Sequence, residues 1–152
     1  MRVLPCAALG MALLAGCAKE KPAVESAPPP PPAAPTPVNL ADVAGNWSVT
    51  TMPETSDSVL VTYTMHATAA DTGWTITFPG RKPMAIQIMA MGDSITTTVP
   101  TYQSVLRKAT QVSTQGVMRL IDGKLVGTVT AHYATAKADS VVHMRTEGTR
   151  AP

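Results

Sequence analysis

Apolar and hydroxyl-bearing residues alternate one for one along much of the chain beyond residue 40. Trp74-Thr75-Ile76-Thr77-Phe78 is the cleanest run, and a period of two places one face of a strand in a core and the other in water. The same rhythm sets Val59, Val61, Tyr63 and Met65 against Thr62, Thr64, His66 and Thr68. It returns with Leu125, Val129, Ala131 and Tyr133 against Thr128, Thr130 and His132. Further strands are predicted over 45–52, 83–90, 94–99, 111–121 and 140–147, with a less regular one at 102–107. Threonine and valine are stiff at χ1 and suit the pleated strand. The inward set includes Val61, Met65, Trp74, Ile76, Phe78, Ile86, Ile88, Val129 and Met144. Only Leu40-Ala41-Asp42-Val43 is expected to make a helical turn.

Turn chemistry separates these runs: Asp71-Thr72-Gly73, Pro79-Gly80-Arg81, Met91-Gly92-Asp93, Asp122-Gly123 and Ala136-Lys137-Ala138. Asp-Gly between two apolar runs is the strongest short hairpin signal. A short phrase recurs as Asp57-Ser58-Val59, Asp93-Ser94-Ile95 and Asp139-Ser140-Val141; Asp and Ser are expected there because they close turns on nearby backbone amides. About eight short strands with tight turns and no crossover helix predict an all-β fold, a single antiparallel up-and-down barrel. Closure would remove the exposed edges that otherwise pair with neighbours.

The first 39 residues differ in kind. Met1-Arg2 and an apolar run to Leu14 lead into Leu14-Ala15-Gly16-Cys17. The run is shorter than the roughly 20 residues that span a bilayer and has the layout of a signal peptide. It resembles a bacterial lipoprotein signal. That resemblance implies removal of residues 1–16, lipidation of Cys17 and attachment to the membrane through N-terminal acyl chains. Two or more chains hold stably where one does not. Ala18 after the cysteine implies the outer membrane, with the protein facing the periplasm. From 17 to 39 Pro, Ala, Lys and Glu dominate, with Pro28 to Pro32 uninterrupted. Proline fixes φ and lacks an amide donor, so this segment reads as a linker, extending at about 3.1 Å per residue. Residues 40–152 form the barrel domain.

Gly45-Asn46-Trp47 opens the first predicted strand. It resembles the start of lipocalins and related calycin barrels, in which a glycine and a tryptophan begin the first strand and the indole plugs one end. The resemblance implies structural roles for Gly45 and Trp47, and a basic residue of the last strand across the indole. Arg145 is the first candidate and Arg150 the second. An arginine over an indole face gains roughly 0.5–2 kcal/mol. The Thr-Asp-Tyr motif and C-terminal helix of lipocalins are not found, nor is the biotin-contacting set of avidins. The resemblance therefore implies a lipocalin-like barrel and no particular ligand.

Candidate chemistry narrows the field. The second cysteine, Cys6, lies in the signal, so the mature chain has no internal disulfide and no cysteine nucleophile. Loss of residues 1–16 removes one charge, Arg2, from a formal net of +2. A nearly neutral chain without a basic cluster gives no reason to expect nucleic acid. No Ser-His-acid arrangement or phosphate-cradling loop is visible, and no enzyme activity or cofactor is expected. His132 and His143, on neighbouring predicted strands, are the candidate metal ligands. Imidazole and thioether suit copper, and Met144 follows His143 directly, so a periplasmic copper-binding lipoprotein is one alternative. Alternation, however, points Met65 and Met144 inward and the histidines outward. The main expectation is a non-catalytic binding or scaffolding module whose partner is an envelope protein or a small apolar ligand. A small-molecule or lipid carrier would need a pocket of roughly 300 Å³ or more. The low aromatic content, 4%, favours a filled interior.

Overall fold

A computed structural model of the chain describes residues 36–152. Cys17, the tetrapeptide ending in it and the proline run lie outside the described residues. Nine strands follow one helical turn, α1 (Leu40–Val43): β1 (Gly45–Pro53), β2 (Val61–Ala67), β3 (Thr75–Thr77), β4 (Met84–Ala85), β5 (Gln87–Met91), β6 (Ser94–Gln103), β7 (Gln111–Ile121), β8 (Lys124–Tyr133) and β9 (Val141–Arg150). They form one antiparallel sheet in the order β4-β3-β2-β1-β9-β8-β7-β6-β5. The two outer members, β4 and β5, are consecutive in the chain and separated by Ile86 alone. The sheet has therefore curled until its edges nearly meet, giving a nearly closed up-and-down barrel.

The strand predicted over 83–90 is divided between those edges. Its first part pairs with β3, Thr75 opposite Ala85, and its second with β6, Gln87 opposite Thr98. Between them Ile86 turns inward, 7% exposed, and donates its amide to the Trp74 carbonyl at 3.0 Å. β6 runs through the predicted gap after residue 99, but its register against β7 shifts between Val99 and Tyr102. Pro100 lies in that interval and has no amide to give a ladder. Val59 falls outside β2 and is exposed, so the alternation of that strand begins at Val61.

Turn residues explain the hairpins. Asp122 and Gly123 both adopt positive φ, 50° and 76°, as a two-residue hairpin between β7 and β8 requires. Gly80, at φ 72°, follows Pro79 in a turn closed by the Arg81 amide on the Phe78 carbonyl at 3.0 Å. The recurring Asp-Ser phrase acquires a second role. Asp93 pairs with Arg119 at 3.2 Å, Asp139 with Arg107 at 3.0 Å, and Asp57 with Arg145. Each aspartate thus ties its turn to another part of the barrel.

The interior holds Trp47, Val49, Met65, Trp74, Ile95 and Leu125 in one cluster, and Val112, Ala131, Tyr133 and Met144 in a second. Chain entry also belongs to the fold. The Val38 amide bonds the Gly92 carbonyl at 2.7 Å, and the Asn39 side chain caps α1 by accepting from the Ala41 amide at 3.1 Å. Val38 and Asn39 thus pack with the barrel ahead of α1.

Candidate functional site

One end of the barrel is sealed by indoles. Trp47 is fully buried and donates Nε1–H to the Val43 carbonyl at 2.8 Å; Trp74, also fully buried, does the same to Ala70 at 2.8 Å. Arg150 lies over the Trp47 ring, 4.5 Å from its centroid. Its guanidinium also donates to the carbonyls of Ala44 at 2.7 Å and Asp42 at 2.5 Å. The cation on the indole is therefore Arg150, and the first candidate, Arg145, is elsewhere. Arg145 pairs in register with Met52 near the far end of β1, where it holds the Pro53 and Ser56 carbonyls and Asp57. The reason is positional: Trp47 opens β1, and the antiparallel partner β9 brings its last residue, Arg150, opposite it.

Gly45 serves the same end. At φ 133° it has a backbone that side chains rarely adopt, and a Cβ there would stand 2.8 Å from the Arg150 guanidinium. Arg150→Ala is expected to cost about 0.5–2 kcal/mol, the range of a cation over an indole, and Arg145→Ala less. Thermal unfolding of both variants checks the order.

Between this plug and the opposite mouth lies a partly open cavity of about 50 Å³. Its wall combines apolar residues from both clusters, among them Met65, Ile76, Met118 and Met144, with the hydroxyls of Thr51, Thr97, Thr114 and Ser104. Tyr63, Tyr102 and Tyr133 complete it. None of the described residues lining it is charged. Tyr63, Phe78 and Tyr102 form an aromatic row, with centroids 5.2 Å and then 5.6 Å apart. The hydroxyl of Thr146, a buried residue that pairs in register with Thr51, has no hydrogen-bond partner among the described residues. The volume is well below the roughly 300–1,000 Å³ of pockets for drug-sized ligands. A ring-sized occupant would require the wall to yield.

Burial pushes the Tyr63 phenol far above its ordinary range; Tyr102 nearby adds to this and the Thr51 hydroxyl opposes it. The Tyr102 phenol is also raised, chiefly by burial, against the pull of Thr114. Both phenols are therefore neutral hydrogen-bonding groups. In the unfolded chain they ionise near pH 10, so the folded state binds more protons there. The stability is present in full below that pH and is lost as pH rises from about 10 toward the higher folded values. Denaturant melts at pH 8 and above pH 10 are expected to show this decline, and Tyr63→Phe to lessen it.

The histidines face outward. His132 is exposed, His143 shares a hydrogen bond with Thr130 Oγ1 at 3.1 Å, and His66 shares one with Asn46 Oδ1 at 2.9 Å. His132 pairs with Val141 and His143 with Thr130, so the two histidines are diagonal neighbours on the outer face. Met144 is buried on the inner face. Among the described residues no three His, Cys, Asp or Glu side chains gather as a metal site.

The hydroxyl content of the cavity was hidden in the sequence. Ile95 and Val99 mark the face of Thr97 as inward, but nothing in Thr96-Thr97-Thr98 sets its hydroxyl apart from those of its outward neighbours. Tyr102 lies beyond the register shift, where simple alternation gives no direction.

Fold and interior together define a small antiparallel barrel, plugged by tryptophan at one end and holding an uncharged, hydroxyl-lined cavity toward the other. No family model, curated protein or solved structure matches the chain.

Proposed function

We propose that the protein is a lipid-anchored, non-catalytic β-barrel of the bacterial cell envelope, a binding module that holds a small uncharged molecule in its interior. The observation that carries this reading is the cavity wall. A barrel built only for stability gains most from close aliphatic packing. Here three tyrosines and several Thr and Ser hydroxyls are spent on an interior surface. Apolar walls with a few placed polar groups are the usual character of small-molecule sites. The envelope location and anchor rest on Leu14-Ala15-Gly16-Cys17 and the proline-rich segment after it.

A second reading draws on the outer face. Met89, Met91, Val117 and Ile121 are exposed there, and such a surface suits contact with an envelope protein. A copper site finds less support, since the thioethers of Met65 and Met144 line the cavity while His132 and His143 stand on the opposite face of the wall.

Native mass spectrometry of the full chain carrying Cys17→Ser, purified from a bacterial host, is expected to show a bound organic adduct of low mass or its uptake from an added extract. A bare chain that takes up neither organic molecule nor copper removes the interior and copper readings and leaves the outer face. Separately, the unaltered chain is expected to gain the mass of its acyl groups at Cys17. An unmodified cysteine in a host with the maturation enzymes refutes the anchor.

A further inference from the structure

The barrel wall is not equally strong all round. Backbone ladders join every neighbouring pair from β4 round to β5. The remaining junction, where the sheet edges meet, is different. β5 pairs with β6 only as far as Gln87 opposite Thr98. Among the described residues no strand pairs with Val99–Gln103 on that side. Pro100 has no amide to offer one.

What spans this stretch is side chains. Phe78, just after β3, stacks on Tyr102 of β6 at 5.6 Å and 23°. Arg81, in the β3–β4 connection, donates to the carbonyls of Gln103 and, at 3.1 Å, Ser104. The residues bordering the junction, Phe78, Ile86, Val99, Tyr102 and Ser104, all line the cavity. The alternative way in, through the mouth, is bordered by the turn after β6. There the Ser104 side chain accepts from the Leu106 and Arg107 amides, at 3.1 and 2.9 Å. Arg107 stacks on Tyr133 at 3.9 Å and pairs with Asp139. Val105 and Leu106 also line the cavity.

The geometry points to a side portal between β3–β4 and the second half of β6, latched by Arg81, that admits a neutral, ring-sized molecule carrying a hydrogen-bonding group. This rests on the proposed interior site and specifies its ligand class and its route. Neutrality follows from the wall: with no charged lining residue, an ionised ligand would lose its hydration without a counter-charge. The hydrogen-bonding group follows from the buried hydroxyls, which act as donors or acceptors. Movement of the wall follows from volume, since about 50 Å³ accepts no ring as it stands. Parting one aromatic pair and two arginine bonds moves it without breaking a strand ladder.

The test uses the full chain carrying Cys17→Ser, so that no acyl chain competes for the interior, and two probes of one shape. 2-Naphthol is neutral at pH 7; 2-naphthoate is ionised. Binding is followed by probe fluorescence and kinetics by stopped flow. 2-Naphthol is expected to bind at least tenfold more tightly than 2-naphthoate, and Ala131→Leu, which fills the cavity, to weaken it tenfold. Arg81→Met is expected to raise association and dissociation rates together by about tenfold, leaving the affinity within threefold. Arg107→Met, which loosens the mouth, is expected to leave both rates unchanged, and Arg81→Lys to restore part of the latch.

If neither probe binds, the interior reading itself falls. Equal binding of the two probes overturns the ligand class while that reading stands. Faster exchange in Arg107→Met but not in Arg81→Met overturns the portal and makes the mouth the entrance. Circular dichroism and thermal unfolding establish that each variant is folded; should Arg81→Met unfold, Arg81→Lys carries the comparison, with a smaller rise in both rates and the affinity still within threefold.

Discussion

Trp47→Ala is expected to destabilise the barrel by about 3–5 kcal/mol, the range for removing a fully buried tryptophan. For a domain of this length that lowers the midpoint of thermal unfolding by roughly 10–20 °C. Three contacts are lost together. The ring volume leaves a cavity, the Val43 carbonyl loses its 2.8 Å donor, and Arg150 loses the face it covers. Trp47→Phe separates the terms, because it keeps most of the packing and removes the donor, at about 1–3 kcal/mol for the carbonyl left unpaired. A drop of less than about 4 °C for Trp47→Ala, which is about 1 kcal/mol, would show that the plugged end contributes little to the fold.

Gly127→Ala is expected to be as damaging with one added methyl. A Cβ at Gly127 would lie 2.0 Å from the Val117 carbonyl oxygen and 2.8 Å from Met118 Cα, both backbone atoms of the neighbouring strand. Backbone cannot swing aside as a side chain does, so β7 and β8 must separate where they are otherwise paired in register from Val112 to Ile121. Overpacking of a core costs typically 1–3 kcal/mol, occasionally more, and this contact belongs at or above the upper end, about 3 kcal/mol. Gly92→Ala supplies the comparison. Gly92 sits at φ 55° with nothing near its missing Cβ, so the cost is local backbone strain of about 1–2 kcal/mol. Urea unfolding of the two variants checks the difference; equal effects would mean that the β7–β8 approach relaxes freely.

Much of the architecture is legible in the residue pattern. Trp74, Ile76 and Phe78 are buried as their alternation with Thr75 and Thr77 predicts. The Asp122-Gly123 and Pro79-Gly80 turns appear where their chemistry requires positive φ. What resists reading is any feature set by register across strands distant in sequence. Arg145 adjoins the inward Met144 and so takes the outer face, while Arg150 shares the parity of Met144; only the pairing of β1 with β9 puts Arg150 at the indole. The split at Ile86 is similar. A uniform run over 83–90 gives no sign that its halves pair with different strands, because that depends on where a curling sheet closes.

The candidate site was less visible still. Thr51, Thr97 and Thr114 look like every other threonine in the chain, and a hydroxyl is as common on the wet face of a strand as within a barrel wide enough to hold one. Arg81 stands in a turn, where a cation ordinarily meets solvent. Its hold on the Gln103 and Ser104 carbonyls exists because the pairing of β5 ends at Thr98 and leaves the later residues of β6 without a strand on that side.

Side-chain order along the chain determined the strands, the face each buries and most of the turns, because period, φ preference and proline chemistry act between residues close in sequence. Tertiary structure alone decided which arginine meets the indole, where the wall lacks a ladder and which hydroxyls enclose the cavity. Those depend on curvature and register accumulated over nine strands, and a slip of one residue would turn the shifted strand's side chains to the other face.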